Sequence, residues 1–146
     1  MNTWFDVSIR YEKVMENGIT KKVTEHYLFD ALSFTESEGK CIKEMTPFIS
    51  GEFVISDIKR AKYSEIFPSD EETADRWFKC KLLFITLDEK SGAAKETSTN
   101  ILVQAADLRD AVKKLDEGMK GTMADYQIAS ISESTIMDVY PYEAKV

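Results

Sequence analysis

The feature that most constrains this chain is that it repeats itself. Trp4-Phe5 recurs as Trp77-Phe78, and the next positions keep that offset of 73: Val7 with Cys80, Ile9 with Leu82, Tyr11 with Phe84. The far end of the unit returns to the same offset, pairing Phe53 with Tyr126, Ile55 with Ile128, Ile58 with Ile131 and Tyr63 with Ile136. Glu65-Ile66-Phe67-Pro68 then meets Asp138-Val139-Tyr140-Pro141. In the middle the offset is 74, with Leu28 against Leu102, Ala31 against Ala105, Phe34 against Leu108, Cys41 against Leu115 and Met45 against Met119. The residue gained and the residue lost both fall among turn residues, where insertions are tolerated. Self-similarity of this kind reads as a duplicated supersecondary unit.

Each copy predicts a strand–strand–helix–strand (ββαβ) unit. Phe5, Val7, Ile9 and Tyr11 alternate with Asp6, Ser8 and Arg10, and Phe78, Cys80, Leu82 and Phe84 alternate with Lys79 and Lys81, the period of a half-buried strand. Asn17-Gly18 and Ser91-Gly92 supply turn residues that tolerate positive φ, so each copy opens with a hairpin. The second strands are expected from about Lys22 to Phe29 and from about Glu96 to Val103. Ser33 with Glu36, and Asp107 with Asp110, mark helix starts of the capping-box kind. Apolar stripes follow at helical spacing, Phe34, Cys41, Ile42 and Met45 in one copy and Leu108, Ala111, Val112, Leu115 and Met119 in the other. Pro47 ends the first helix; Gly118 and Gly121 close the second.

A long final strand is expected from Glu52 to Phe67 and again from Asp125 to Tyr140. Its apolar set changes parity between Ile55 and Ile58, and likewise between Ile128 and Ile131, which requires a bulge or bend. The expectation is an α+β fold, one domain over 1–146: a first repeat at 4–68, a short helical linker at 69–76 suggested by Ser69 with Glu72, and a second repeat at 77–141. The copies pack about a pseudo-two-fold, with a mainly antiparallel sheet and two packed helices.

Three segments, Met45-Thr46-Pro47-Phe48-Ile49-Ser50-Gly51, Tyr63-Ser64-Glu65-Ile66-Phe67-Pro68 and Trp77-Phe78-Lys79-Cys80-Lys81, resemble domain-of-unknown-function family 4494. Its members are short proteins of gut anaerobic bacteria and of their phages and mobile elements. The likeness runs nearly end to end. It implies a tie to mobile DNA but no activity, substrate or site residue.

The composition narrows the chemistry. A net charge of −7 lacks the long-range attraction that drives most binding to phosphate backbones, so nucleic acid is disfavoured as a partner without being removed. The two cysteines, Cys41 and Cys80, have neither zinc spacing nor a disulfide framework, and each aligns with an apolar residue of the other copy, as buried inert thiols do. The start Met-Asn-Thr-Trp-Phe-Asp shows no secretory signal and the apolar runs are too short for a span, so the expected place is the cytoplasm, away from membranes. Asp70-Glu71-Glu72 is read as favourable charge at a helix start rather than a cation site, since consecutive carboxylates do not converge. His26 has no fixed nucleophile partner, and no phosphate loop, GxSxG or HExxH pattern occurs. No catalytic, cofactor-binding or metal residue is expected, and no cofactor.

One stripe is basic. Arg10, Lys79 and Lys81 lie on the polar faces of the first strands, and Lys59, Arg60 and Lys62 lie in the third beside Tyr63. Such a face could take single-stranded nucleic acid or a protein partner; the plainer reading is a solvated outer face with charges guarding exposed strands. Copy two carries Ser132-Glu133-Ser134-Thr135 in place of Lys59 to Lys62, so the stripe is not repeated. Trp4 and Trp77 are expected in the core or a seam. The leading expectation is a non-enzymatic cytoplasmic binding or adaptor protein acting through a protein partner, as a monomer or weak homodimer. The alternatives are an accessory single-strand binder linked to replication or mobile elements, and a small-ligand binder or enzyme using an inter-repeat cleft.

Overall fold

In a computed structural model the described residues are 3–122 and 125–141. Among them the order is β1 (Trp4–Val14), β2 (Thr20–Asp30), α1 (Phe34–Met45), β3 (Phe53–Ala61), β4 (Glu65–Phe67), β5 (Arg76–Leu87), β6 (Ala94–Ala105), α2 (Leu108–Gly118), β7 (Tyr126–Glu133) and β8 (Ile136–Tyr140). The class is α+β, with two helices and mostly antiparallel sheets, as the sequence implied. The chain divides into two compact units, Met1–Ala61 with Thr135–Val146, and Lys62–Ser134.

The first unit carries a sheet of order β3-β1-β2-β8. Asn17-Gly18 turns β1 into β2: Gly18 takes φ 79°, and the Asn17 side chain accepts from the Ile19 N–H at 3.1 Å. That turn sets an antiparallel register with Val14 against Thr20 and Ser8 against His26. Phe5, Val7 and Ile9 point to the α1 side and are fully buried with Phe29, Cys41 and Met45. Each such side chain contributes roughly 1.5–3 kcal/mol. α1 starts where Ser33 Oγ accepts from the Glu36 N–H at 3.1 Å, and Pro47 follows its end at Thr46. The expected parity slip is a bulge: Ser8 faces Asp57 while Ile9 faces Ile55, leaving Ser56 extra.

The second unit carries a sheet of order β4-β6-β5-β7. Phe78, Cys80 and Leu82 face α2, and Leu82 is fully buried with Val103 and Leu115. Asp107 caps α2 by accepting from the Asp110 N–H at 2.8 Å, while Asp110 reaches back to the Ala106 N–H at 3.0 Å. Here too the slip is a bulge, with Lys81 facing Ser130 and Leu82 facing Ile128, so that Ala129 is extra.

Two expectations are corrected. The long final strand is two strands in each case, because residues 62–64 and 134–135 leave the ladder. The Ser64 N–H donates to the Asn100 carbonyl at 2.9 Å, which leads β4 into parallel pairing with β6 in the second unit. β8 pairs in parallel with β2 in the first. The linker 69–76 is not helical: it makes a single turn at 72–73, closed by the Ala74 N–H donating to the Glu71 carbonyl at 3.1 Å. Ser69 Oγ accepts from the Glu71 N–H two residues on, a local turn bond that competes with helix rather than capping one.

Candidate functional site

The basic stripe does not form one patch. Successive strand residues point to opposite faces, so Lys59, level with Asp6, faces away from α1, whereas Arg60, level with Phe5, faces toward it. The Lys59 ammonium lies 3.5 Å from Asp57, and the Arg60 guanidinium lies 5.7 Å above the Phe34 ring. Arg10 shares the face of Lys59 but stands four positions away along β1, roughly 13 Å. Lys62 and Tyr63 fall in the segment leading to β4, the first exposed and the second half-buried. Lys79 and Lys81 are exposed together on the side of β5 away from α2, level with Leu102 and Asn100. Trp4 and Trp77 are buried.

The hairpin register gathers a cluster that sequence reasoning missed. On the same face as Arg10, His26 Nδ1 lies 2.9 Å from Ser8 Oγ and 3.2 Å from Asp6 Oδ1. The residue types are those of a hydrolytic triad, but the geometry is not. A triad holds serine on one ring nitrogen and carboxylate on the other, whereas both partners here meet Nδ1. With its hydrogen, Nδ1 donates toward Asp6; without it, Nδ1 accepts from the Ser8 hydroxyl. Neither arrangement passes a proton from serine through the ring. The signal was legible, since a turn centred on Asn17 places position 26 across from position 8.

On the opposite face Tyr11 and Tyr27 both donate to Glu25 Oε1, at 2.8 and 3.2 Å. Burial, with the Glu25 charge beside it, pushes Tyr11 up to about 12 and raises Tyr27 as well. Burial likewise pushes the Cys41 thiol to about 12 and the Cys80 thiol to about 11, so both stay protonated at neutral pH and lack thiolate character. They are free and buried. No group of three or more His, Cys, Asp or Glu side chains able to hold a metal ion occurs among the described residues. No helix among them is long and apolar enough to cross a membrane.

Each unit carries a cleft. The first unit's, about 750 Å³, lies at the open end of the sheet between the β1–β2 hairpin and the start of β3. Arg10, Glu12, Val14, Lys22, Glu52 and Val54 are among its walls. Val14 is 70% and Val54 59% exposed, so apolar side chains stand in solvent among charges of both signs. The second unit's cleft, about 660 Å³, is lined by Phe67, Pro68, Ser69, Asp70, Glu71, Lys114, Glu117 and Gly118. Its lysine is already engaged. Lys114 Nζ donates to Ser69 Oγ at 2.9 Å and to Glu71 and Asp110 at 3.1 Å each, which ties the 69–71 segment to α2. Burial works against the Lys114 charge, but these bonds outweigh it and raise the group. Asp110 is lowered by the Ala106 N–H and by Lys114.

The family described as Domain of unknown function (DUF4494) matches residues 3–142, nearly the whole chain. The chain belongs to that family. No curated protein and no solved structure matches it.

Proposed function

We propose that this member of the DUF4494 family is a non-enzymatic cytoplasmic binding protein that acts by contact with another protein, through the cleft around Val14 and Val54. The observation that carries the reading is that cleft: two largely exposed valines, Val54 level with Arg10 and Val14 level with Thr20, stand on one face of the hairpin with Glu12 and Lys22 between them. Exposed apolar side chains interleaved with charges of both signs offer a protein partner both apolar and polar contacts. Two further features support it. The Cys41 and Cys80 thiols are held protonated and buried, and the Asp6–His26–Ser8 cluster converges on one ring nitrogen. Arg10 is the one residue of the basic stripe that lines the cleft.

The chain is further read as a tandem duplication in which the closing strands have changed places. The first three strands run in the order β3-β1-β2 in one sheet and β7-β5-β6 in the other, and each sheet is completed by a short parallel strand. The extra residues Ser56 and Ala129 hold corresponding positions. The duplication supplies the scaffold, while the cleft residues belong to the first copy.

The test compares the full chain with a Val14→Asp/Val54→Asp variant as bait in native lysate. A stoichiometric protein held by the wild type and lost by the variant, with unchanged circular dichroism, is the expected result. Equal capture by both, or no stoichiometric protein at all, rejects the reading.

The second reading, single-stranded nucleic acid, draws on Lys79 and Lys81, exposed side by side on one face of β5. It predicts oligonucleotide binding that weakens steeply with salt and fails in a Lys79→Glu/Lys81→Glu variant. No binding at low salt ends it.

A further inference from the structure

We propose that the outer edge of β3 is an acceptor site for an extended acidic segment of a partner protein, which adds as a further strand with one carboxylate beside Lys59 and the next beside Arg60. The site lies beyond the cleft: Lys59 is level with Asp6 and Val54 with Arg10, four positions away along β1. Among the described residues β3 ends its sheet, with β1 on one side and no strand on the other. Ser56 is the extra residue of the bulge, so regular pairing runs from Asp57 against Ser8 to Ala61 against Trp4. In an antiparallel ladder alternate residues bond to the neighbouring strand, and those between turn their N–H and C=O outward. Residues 57–61 therefore present main-chain donors and acceptors to one more strand, the general mode of strand addition.

Charge selects what fits there. Lys59 faces away from α1 and Arg60 toward it, so a chain of phosphates laid on either face meets only one of the two cations. An added strand meets both, because its own side chains alternate across the same two faces. Two consecutive acids level with Lys59 and Arg60 set one carboxylate beside each, and opposite charges directly across a ladder are stabilising. Neither cation is firmly held. The Lys59–Asp57 pair spans 3.5 Å between side chains 74% and 50% exposed, and exposed pairs of this kind hold weakly. Arg60 lies 5.7 Å above the Phe34 ring, and among the described residues no carboxylate engages its N–H donors.

The occupant is a different protein, not a second copy. The four strands that end the two sheets, β3, β8, β4 and β7, carry one acid each: Asp57, Asp138, Glu65 and Glu133. None offers two acids in a row, and Glu133 already lies 3.5 Å from Arg76. Basic side chains and a bulge on an edge strand also keep uncharged strands from adding to it. A guard of that kind is passed by a strand that neutralises it, so the same two cations protect the edge and choose its partner.

The experiment titrates the isotope-labelled full chain with a short peptide, Thr-Val-Thr-Glu-Glu-Val-Thr-Val, at low salt and follows the backbone amides by nuclear magnetic resonance. The expected result is shifts gathered at residues 57–61 and their β1 neighbours, with slower amide exchange along the outer side of β3. A Lys59→Glu/Arg60→Glu variant should bind the peptide about tenfold more weakly, the sum of two lost pairs. It should instead prefer the peptide with Lys-Lys in place of Glu-Glu. Lys59→Glu alone, at an exposed side chain, serves as the second variant should the double change disturb Phe34. The acidic peptide with two adjacent prolines before the acids lacks donors on both of its edges and should not bind. No shift at residues 57–61, or equal binding by the variants, overturns the proposal. Equal binding of the proline peptide also overturns it, since charge alone would then suffice. An oligothymidine that moves these amides where the acidic peptide does not overturns it in favour of nucleic acid.

Discussion

The ring of Phe67 lies against Gly118 so closely that a Cβ on the glycine would stand 2.5 Å from Phe67 Cε2 and 2.7 Å from Cδ2. Phe67 ends β4 and Gly118 ends α2, so the contact ties the closing strand to the helix of the second unit. The Gly118→Ala substitution would gain about 1 kcal/mol from helix propensity alone. Forcing a methyl into the ring instead costs about 1–3 kcal/mol, so the net change is expected to be destabilising. Gly39, mid-helix in α1 with nothing within 4 Å of a Cβ, is the contrast: Gly39→Ala should stabilise by about 0.5–1 kcal/mol. Urea denaturation of both variants checks the opposite signs, and a Phe67→Ala background should remove most of the Gly118→Ala penalty.

Lys114 is predicted to be the clamp on the 69–71 segment. Its side chain is only 14% exposed and meets Ser69, Glu71 and Asp110. Lys114→Met keeps the stem and removes these charge-assisted bonds, at a cost of about 1–3 kcal/mol. Hydrogen exchange should then speed up at the Glu71 and Ala74 amides while the amides of β1 stay protected.

The same cluster sets a response to acid. Asp110 is lowered in the folded protein, so it contributes stability that is present above the ordinary carboxylate range and lost as pH falls through its folded value. An Asp110→Asn variant should lose less stability than the wild type as pH falls below the ordinary carboxylate range, read by the thermal midpoint. A parallel decline in both would contradict the assignment.

At the other end of the scale, Tyr11 and Tyr27 are raised by burial and by Glu25. Ionising either would set a phenolate beside that carboxylate. The folded state therefore keeps its full contribution below the ordinary tyrosine value near 10 and loses it as pH rises toward about 12. Tyr27→Phe should flatten the alkaline limb of the stability curve, followed by circular dichroism.

The thiols give a fifth check. Cys41 and Cys80 are fully buried and pushed up to about 12 and about 11. Reaction with an aromatic disulfide reagent at pH 8 should be slow in native protein and accelerate to completion in denaturant. Fast labelling of either in the native state would mean the core around it opens locally.

Much of the fold was legible in the sequence because it rests on local chemistry. Asn17-Gly18 and the alternation of Phe5, Val7, Ile9 and Tyr11 announce the hairpin and its buried face, and Ser33 and Asp107 announce the helices. The slip between Ile55 and Ile58 announces the bulge at Ser56. The breaks at 62–64 and 134–135 were not legible. A strand's side-chain pattern is the same whichever sheet it joins, and nothing in Glu65-Ile66-Phe67 names its neighbour. The stripe of lysines and arginines misled for a simpler reason: Lys59 and Arg60 are adjacent, so a strand must part them. The Asp6–His26–Ser8 cluster was within reach from the turn, but only by carrying the register eleven positions back from it.

β4 lies beside β6 and β8 beside β2, each closing strand away from the hairpin it follows. Nuclear Overhauser contacts between backbone protons of neighbouring strands read this directly. The prediction is cross-strand contacts joining Ile66 to Leu102 and Val139 to Leu28. Contacts joining Ile66 to Leu28 and Val139 to Leu102 would show each strand closing its own half, and would contradict it.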